Sequence, residues 1–478
     1  MNPAAAAPCA TPPWDLLVIG AGPGGYVAAI RAAQLGLRTA CVERRATLGG
    51  VCLNAGCIPS KALLTSSALL AQSQDMLASH GVVLEAPLRL DLPAMMARKD
   101  RVVAELTQGI AQLFRKYHVS HLQGQAQLEA PGVVRVQSPD GTTQIHHARH
   151  VLLATGGQPL PPAVPGLVVD GVRMLDSRHA LALTQVPTHL LVIGAGAIGL
   201  EMGSLWSRLG SRVTLVESLP DILPSWDPPL VRLARRSLTQ QGLALLTGQQ
   251  VLKAEARDTE VMLTLEDAQG QRREVQGSHL LWAAGRRPDP EAAGADALGL
   301  IRDPQGRVVV SERMETNLPG LYAVGDLTPG PMLAHRASEQ GRALAEILAG
   351  HPPVPLPPIP SVIYTKPELA CVGASEFQAR AQGHDVRVGS FFFMANGRAR
   401  TADQAEGVIR SVVDRREGRL LGVAMLGPHA SELVLSATLA LQSHLSVEDL
   451  VGVIAPHPTL GEALVESLRA AWGAPIHA

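Results

Sequence analysis

Two cysteines and a lysine stand together in the stretch Leu48-Gly49-Gly50-Val51-Cys52-Leu53-Asn54-Ala55-Gly56-Cys57-Ile58-Pro59-Ser60-Lys61. Thiols at this spacing, directly after a glycine-rich unit and in a chain without secretory features, read as a redox dithiol rather than a structural bridge. A regular helix would advance about 7.5 Å between residues five apart and turn them to different faces. That exceeds the ~4.4–6.8 Å between α-carbons that a disulfide tolerates, so the backbone between Cys52 and Cys57 must be distorted. Gly56 and Pro59 permit this, and the regular helix is expected to begin near Pro59 and to carry Lys61. Spacing alone leaves a second reading open, two buried cysteines with no bond between them.

The elements that must position these thiols come just before them. Leu16-Leu17-Val18-Ile19 is a short apolar run suited to a strand buried on both faces, and it leads into Gly20-Ala21-Gly22-Pro23-Gly24-Gly25. Gly20, Gly22 and Gly25 satisfy G-x-G-x-x-G: a tight turn, a close backbone approach to a pyrophosphate, and close packing of helix on strand. Gly36 ends the helix, and the strand Thr39-Ala40-Cys41-Val42 finishes at Glu43, a carboxylate placed to accept a hydrogen bond from a ribose 2′-hydroxyl. The same unit recurs 174 residues later as Gly194, Gly196, Gly199, Gly210 and Glu217. Five positions in register at one offset are stronger evidence than either motif alone, and they imply two dinucleotide sites. A carboxylate at Glu217 suits a free 2′-hydroxyl and repels a 2′-phosphate, so NAD is expected over NADP, with Arg212 lying before that strand.

The 478-residue chain is several domains long, and its 41 basic residues against 42 acidic ones offer no basic face for nucleic acid or an anionic membrane. No apolar run approaches the ~20 residues of a membrane span. Five cysteines, with Cys9, Cys41 and Cys371 standing alone, argue for a reducing compartment, the cytoplasm. Residues 1–13 read as a disordered tail. Residues 60–118 carry helical periodicity, and Val119 to Ala154 turns to short strands around a hairpin at Pro139-Asp140-Gly141. Val151 to Gly156 and Trp282 to Arg286 each read as a buried strand ending in a glycine turn, and Leu321 to Asp326 as a strand that delivers one carboxylate. Pro159 to Pro165 and His351 to Pro360 read as linkers. Beyond them, strands are expected at Ser390 to Met394, Gly407 to Val413 and Leu420 to Leu426, with helices at Ser431 to Leu445 and Gly461 to Trp472. The fold class is α/β: two Rossmann-like dinucleotide-binding domains plus a C-terminal α+β dimerisation domain. The expected boundaries are 14–157 and 285–350 for the first nucleotide domain, 158–284 for the second and 351–478 for the last.

Together these features resemble the pyridine nucleotide-disulfide oxidoreductases. The resemblance covers nearly the whole chain after the tail. It rests on the Gly49 to Lys61 stretch, Ala323-Val324-Gly325-Asp326, Met332-Leu333-Ala334-His335, Tyr364-Thr365-Lys366-Pro367-Glu368 and His457-Pro458-Thr459-Leu460-Gly461-Glu462. Ile58-Pro59-Ser60-Lys61 and Phe393-Met394-Ala395-Asn396-Gly397-Arg398-Ala399 resemble the lipoamide branch more than the glutathione or mercury branches. Two departures stand out: Ala455 and Pro456 where a second histidine is often found, and Asp289 in place of the usual asparagine.

The resemblance implies FAD in the first unit and NAD in the second. For FAD it implies Gly20, Gly22, Gly25, Glu43, Lys61, Gly124, Ala126, Thr155, Gly156, Asp326, Met332, Leu333, Ala334 and His335, with His335 beside the cofactor rather than catalytic. For NAD it implies Gly194, Gly196, Gly199, Glu201, Glu217, Val251 and Gly285, with Glu201 also the partner of Lys61. Cys52 would exchange with substrate thiols while Cys57 faces the flavin. His457 would be the base and Glu462 its orienter, although His457 before Pro458 reads by itself as an ordinary surface histidine. The implied reaction is oxidation of protein-bound dihydrolipoamide by NAD+, with lipoyl domains of an acyltransferase subunit of a 2-oxo acid dehydrogenase complex as partners. A sister reductase acting on another disulfide or on a metal is the alternative. The implied assembly is a homodimer whose C-terminal domains meet, with His457-Pro458 a candidate cis peptide.

Overall fold

The computed structural model describes residues 13–473 and 475–477, so the expected tail up to Pro12 and its Cys9 lie outside the described residues. The chain forms two compact units, one of residues through Ile58 with Arg101–Gln158 and Arg286–Leu356, the other of Pro59–Asp100, Pro159–Gly285 and the residues from Pro357 on. Among the described residues no helix is long and apolar enough to cross a membrane.

In the first unit the strands Ser120–Gln123, Thr39–Glu43, Trp14–Ile19 and Thr143–Leu153 lie side by side in that order, with Leu321–Ala323 beyond Thr143–Leu153. Trp14–Ile19 is parallel to both neighbours, and Leu16, Leu17 and Val18 are fully buried, as expected of a strand covered on two faces. The Thr143–Leu153 strand does two jobs. Its second half is parallel to Trp14–Ile19, while its first half pairs antiparallel with Val133–Gln137 across the expected hairpin, where Asp140 accepts from the Thr142 N–H at 2.9 Å and Gly141 takes φ +86°. The Pro23–Gln34 helix buries only small residues, Gly24, Gly25, Ala28, Ala29 and Ala32. This lets the Ala334–Leu348 helix come so close that a Cβ on Gly341 would lie 2.2 Å from the Gly24 carbonyl oxygen.

In the second unit the parallel order is Leu243–Leu246, Arg212–Val216, His189–Ile193, His279–Trp282 and Met174–Leu175. Arg212, expected before its strand, is that strand's first residue. The Ala197–Arg208 helix is buried from Gly199 through Trp206, and Trp206 sits in the same apolar cluster as Leu63, Leu64 and Leu92. Thus the segment 59–100, expected with the first nucleotide domain, packs within the second unit.

The C-terminal part is a five-stranded antiparallel sheet in the order Ser361–Ile363, Glu368–Gly373, Leu420–Gly427, Val408–Asp414 and Val386–Phe392. The Glu462–Trp472 helix presses on its edge, where a Cβ on Gly389 would stand 2.0 Å from the Ser467 carbonyl oxygen. The strand expected over Ser390 to Met394 instead runs Val386–Phe392 and ends in a 3-10 turn, Phe393–Ala395, because Asn396 then caps the helix Gly397–Thr401. Strands Ser361–Ile363 and Glu368–Gly373 were not anticipated, since the prolines between Pro357 and Pro367 mask their alternation.

Candidate active site

The first glycine frame has little room for anything but glycine. Gly20 takes φ +101°, and a Cβ there would lie 2.5 Å from the Ala154 carbonyl oxygen; one on Gly25 would lie 1.8 Å from that of Gly20. Gly22 differs, because among the described residues its Cβ direction meets no atom within 4 Å. No side chain caps the helix that starts there, so an open helix N-terminus faces open space, the arrangement that accepts a diphosphate. Glu43 is nearly buried; its Oε2 accepts from the Ala21 N–H at 2.9 Å and its Oε1 from the Arg45 N–H at 3.0 Å. Each oxygen keeps a second lone pair, so fixing the glycine turn and receiving a ribose hydroxyl are compatible.

Other expected residues of this unit fall around the same frame. The Gly124 N–H donates to the Glu43 carbonyl at 3.0 Å, whereas the Ala126 side chain is spent in the apolar core. Thr155 Oγ1 donates to the Asp289 carbonyl at 2.7 Å and the Asp289 N–H to the Gly156 carbonyl at 2.9 Å. These bonds use main-chain atoms of Asp289 that any residue supplies, so aspartate in place of asparagine leaves them intact. Burial pushes the Asp326 carboxyl above its usual range, against the pull of Arg286 and Arg336. The loop carrying it is held by two residues that sequence reasoning missed. Gln340 accepts from the Gly325 N–H at 2.8 Å, and Arg336 donates to the Gly325 carbonyl at 3.2 Å and to Thr328 Oγ1 at 3.0 Å. Their signal was available: both are polar, four apart, on the helix that comes after Met332-Leu333-Ala334-His335. That helix begins at Ala334 with Leu333 as an N-cap that offers no side-chain bond.

The second frame repeats the first. Gly194 takes φ +101° with a virtual Cβ 2.6 Å from the Ala283 carbonyl oxygen, Gly199 would place one 1.9 Å from the Gly194 carbonyl oxygen, and Gly196 again faces open space. Glu217 accepts from Ala195 N–H at 2.8 Å and Leu219 N–H at 3.0 Å. Gly285 takes φ +128° with no atom in its Cβ direction, and Val251 packs against an apolar cluster. Glu201 serves Lys61 here. One carboxylate oxygen meets Lys61 Nζ at 2.8 Å, the other accepts from the Tyr364 N–H at 3.0 Å, and the ammonium lies 4.5 Å from the Tyr364 ring centre.

Between Cys52 and Cys57 the backbone is broken as expected, at Gly56, but the long helix starts earlier than expected. Cys52 lies in the short helix Gly50–Ala55, Gly56 interrupts it at φ −145°, ψ −110°, and the long helix begins at Cys57 rather than near Pro59. Cys52 is half-buried and Cys57 exposed. Asn54 ties the short helix down by donating to the carbonyls of Leu48 at 3.0 Å and Gly50 at 2.9 Å, a role the motif did not disclose. The other described cysteines are unsuited to thiolate chemistry: burial pushes the Cys41 thiol far up and that of Cys371 up to about 11.

His457–Pro458 is cis, as is Lys366–Pro367. His457 Nδ1 lies 2.8 Å from Glu462 Oε1, and Glu462 Oε2 accepts from the Thr459 N–H at 2.8 Å. The Thr459 N–H, and then the imidazole, hold the Glu462 carboxyl below its usual range. A carboxylate at Nδ1 places the proton there and leaves Nε2 as the basic nitrogen on a side chain that is 78% exposed.

Comparison with known proteins identifies the family. Residues 14–341 match the model of the pyridine nucleotide-disulphide oxidoreductase family, and residues 359–468 match that family's dimerisation domain. The chain belongs to the pyridine nucleotide-disulphide oxidoreductases. It is 46% identical to dihydrolipoyl dehydrogenase 3 of Pseudomonas aeruginosa over 94% of this chain and 96% of that one. It is 43% identical to the mitochondrial dihydrolipoyl dehydrogenase 1 of Arabidopsis thaliana over 97% and 91%. Among solved structures, LpdA from Mycobacterium tuberculosis superposes with a TM-score of 0.86 at 28% identity, covering 95% of this chain and 99% of that one.

Proposed function

We propose that the chain is an NAD-dependent dihydrolipoyl dehydrogenase that returns protein-bound dihydrolipoamide to lipoamide. The observation that carries the reading is the His457–Glu462 pair, an exposed imidazole aligned at 2.8 Å in a chain that also holds Cys52 and Cys57. A dihydrolipoamide thiol is largely protonated near neutral pH, and thiol–disulfide exchange needs a thiolate. His457 takes that proton at Nε2, and Glu462 stabilises the resulting imidazolium. The thiolate attacks the Cys52 sulfur, the Cys52–Cys57 bond breaks, and Cys57 leaves as a thiolate. The second substrate thiol then displaces Cys52, giving lipoamide and leaving two electrons on the enzyme dithiol.

FAD held in the first frame would supply an acceptor for those two electrons, and NAD+ held in the second would supply the final hydride acceptor. The open space at Gly22 and Gly196, the uncapped helix N-termini and the two carboxylates fit both nucleotides. Asp326 would hold the ribityl chain. Lys61, its charge matched by Glu201, would supply the positive charge that favours reduced flavin. Partners of this reading are lipoyl domains of an acyltransferase subunit of a 2-oxo acid dehydrogenase complex, and the odd cysteine count favours the cytoplasm. The assembly is a homodimer in which His457 and Glu462 of one protomer serve Cys52 and Cys57 of its partner.

Anaerobic titration with dihydrolipoamide should change the flavin spectrum stoichiometrically, and an unchanged spectrum rejects the reading. A relative named leghemoglobin reductase in Vigna unguiculata is 44% identical, so NADH-driven turnover on lipoamide must exceed that on other electron acceptors. Mixed dimers of Cys52→Ser and His457→Gln chains should recover activity. Failure to do so, with mixed dimers shown to form, rejects the shared site.

A further inference from the structure

The proposed reaction leaves the motif Phe393-Met394-Ala395-Asn396-Gly397-Arg398-Ala399 without a role. Asn396 is only 3% exposed, yet its amide is fully directed. Its Oδ1 accepts from the Ala399 N–H at 2.9 Å and caps the helix Gly397–Thr401, while its Nδ2 donates to the Thr459 carbonyl at 3.0 Å. Thr459 is held at its other polar groups too: its N–H donates to Glu462 Oε2 at 2.8 Å and its Oγ1 to the Pro456 carbonyl at 2.8 Å. The remaining Glu462 oxygen meets His457 Nδ1 at 2.8 Å. One hydrogen-bonded chain therefore runs from a buried amide to an exposed imidazole.

We infer that Asn396 is a positioning residue for the base, acting through Thr459 and Glu462 to fix the His457 imidazole, a role that rests on the reading of His457 as the base. The chemistry requires an amide. Only asparagine offers, at this reach, an acceptor for the helix cap and a donor for a carbonyl; aspartate loses the donor, and serine keeps a cap acceptor but is too short to bridge. Within its own protomer the base has little other support. There His457 is exposed, and the charged groups acting on Glu462 are His457 itself and His477, which Glu466 holds at 3.5 Å. Without a fixed Thr459 the carboxylate can swing, and both the orientation and the charge stabilisation of the imidazole are lost.

The test uses the holoenzyme with Asn396→Asp and Asn396→Ser, the second guarding against failure of the first to fold. The His457 ring-nitrogen signals, assigned with His457→Gln and followed by NMR of histidine-labelled protein, should move from those of a single Nδ1–H tautomer toward those of a tautomer mixture as the carboxylate loses its place. Dihydrolipoamide turnover should fall roughly ten- to a hundredfold. NADH oxidation by ferricyanide needs neither thiol exchange nor a base and should stay unchanged. Wild-type ring-nitrogen signals of His457 in a folded variant, or an equal loss of ferricyanide activity, overturn the inference. Full dihydrolipoamide turnover in His457→Gln would instead overturn the base reading, and the ring-nitrogen signals would still decide Asn396.

Discussion

In the first glycine frame Gly49 takes φ +98° and donates its N–H to the Ala21 carbonyl at 2.9 Å; in the second, at the same offset of 174 residues, Leu223 takes φ +49° and donates to the Ala195 carbonyl at 3.4 Å. The repeat thus extends beyond the five positions that sequence matching found, because a backbone corner can recur where the side chains do not. Their consequences diverge. Gly50 comes directly after the first corner, and its own Cβ would lie 2.5 Å from the Gly22 α-carbon, so the chain leaves flat against the glycine turn and enters the helix that carries Cys52. Leu223 is 3% exposed in the cluster that holds Ala195 and Trp206, and that burial offsets the roughly 1–2 kcal/mol a left-handed residue costs. A second divergence is on the helix face, where half-buried Val27 in the first repeat becomes Glu201, the partner of Lys61, in the second. The frames share nucleotide geometry; the residues that differ on and after each frame decide which serves the thiols and which the lysine.

The largest expected effect breaks the chemistry and spares both frames. Cys52→Ser or Cys57→Ser should cost at least about a thousandfold in dihydrolipoamide turnover. Both nucleotides should still bind, as measured by flavin content and NADH titration. Two thiols titrating at Cys52 and Cys57 in the fully oxidised enzyme would contradict the disulfide.

Next come the glycines, which separate the frames from one another. Gly25→Ala should release flavin while nicotinamide binding survives, and Gly199→Ala should do the reverse, since each added Cβ meets a carbonyl at 1.8 or 1.9 Å. Gly22→Ala and Gly196→Ala meet no protein atom within 4 Å, so melting of the apoprotein should change by no more than about 0.5 kcal/mol while nucleotide affinity falls. Equal destabilisation by all four substitutions would show that the open space is not where the ligands sit.

A smaller effect is expected at the acids. Glu217→Gln keeps an acceptor for the turn but removes the charge that disfavours a 2′-phosphate, so a preference for NAD over NADP of about a hundredfold should shrink severalfold or more in kcat/KM. Equal rates with both nucleotides in the unaltered enzyme would refute the role of Glu217.

The smallest effect is one of stability and lies outside both frames. The Glu462 carboxyl is held below its ordinary 4.5 first by the Thr459 N–H and then by His457. Its contribution is fully present above the unfolded-state value and is lost as pH falls through the depressed folded value. Denaturation curves of the wild type and Glu462→Gln should therefore differ above the unfolded-state value and converge as the pH falls through the depressed folded value.

The sequence by itself determined the two frames, because a tight turn, a close helix–strand contact and a ribose acceptor each admit very few residue types. It also showed the need for a break between Cys52 and Cys57 if the two thiols are to pair, which helix geometry alone dictates. Only tertiary structure decided that the long helix starts at Cys57, since Gly56 supplies the whole distortion and Pro59 fits inside the helix's first turn. Tertiary structure likewise joined Lys61, Glu201 and Tyr364, and ran the line from Asn396 through Thr459 and Glu462 to His457. Periodicity and motif spacing register local backbone constraints. A hydrogen bond between residues 63 or 140 positions apart leaves no local trace, and its partners become legible only when the fold has brought them together.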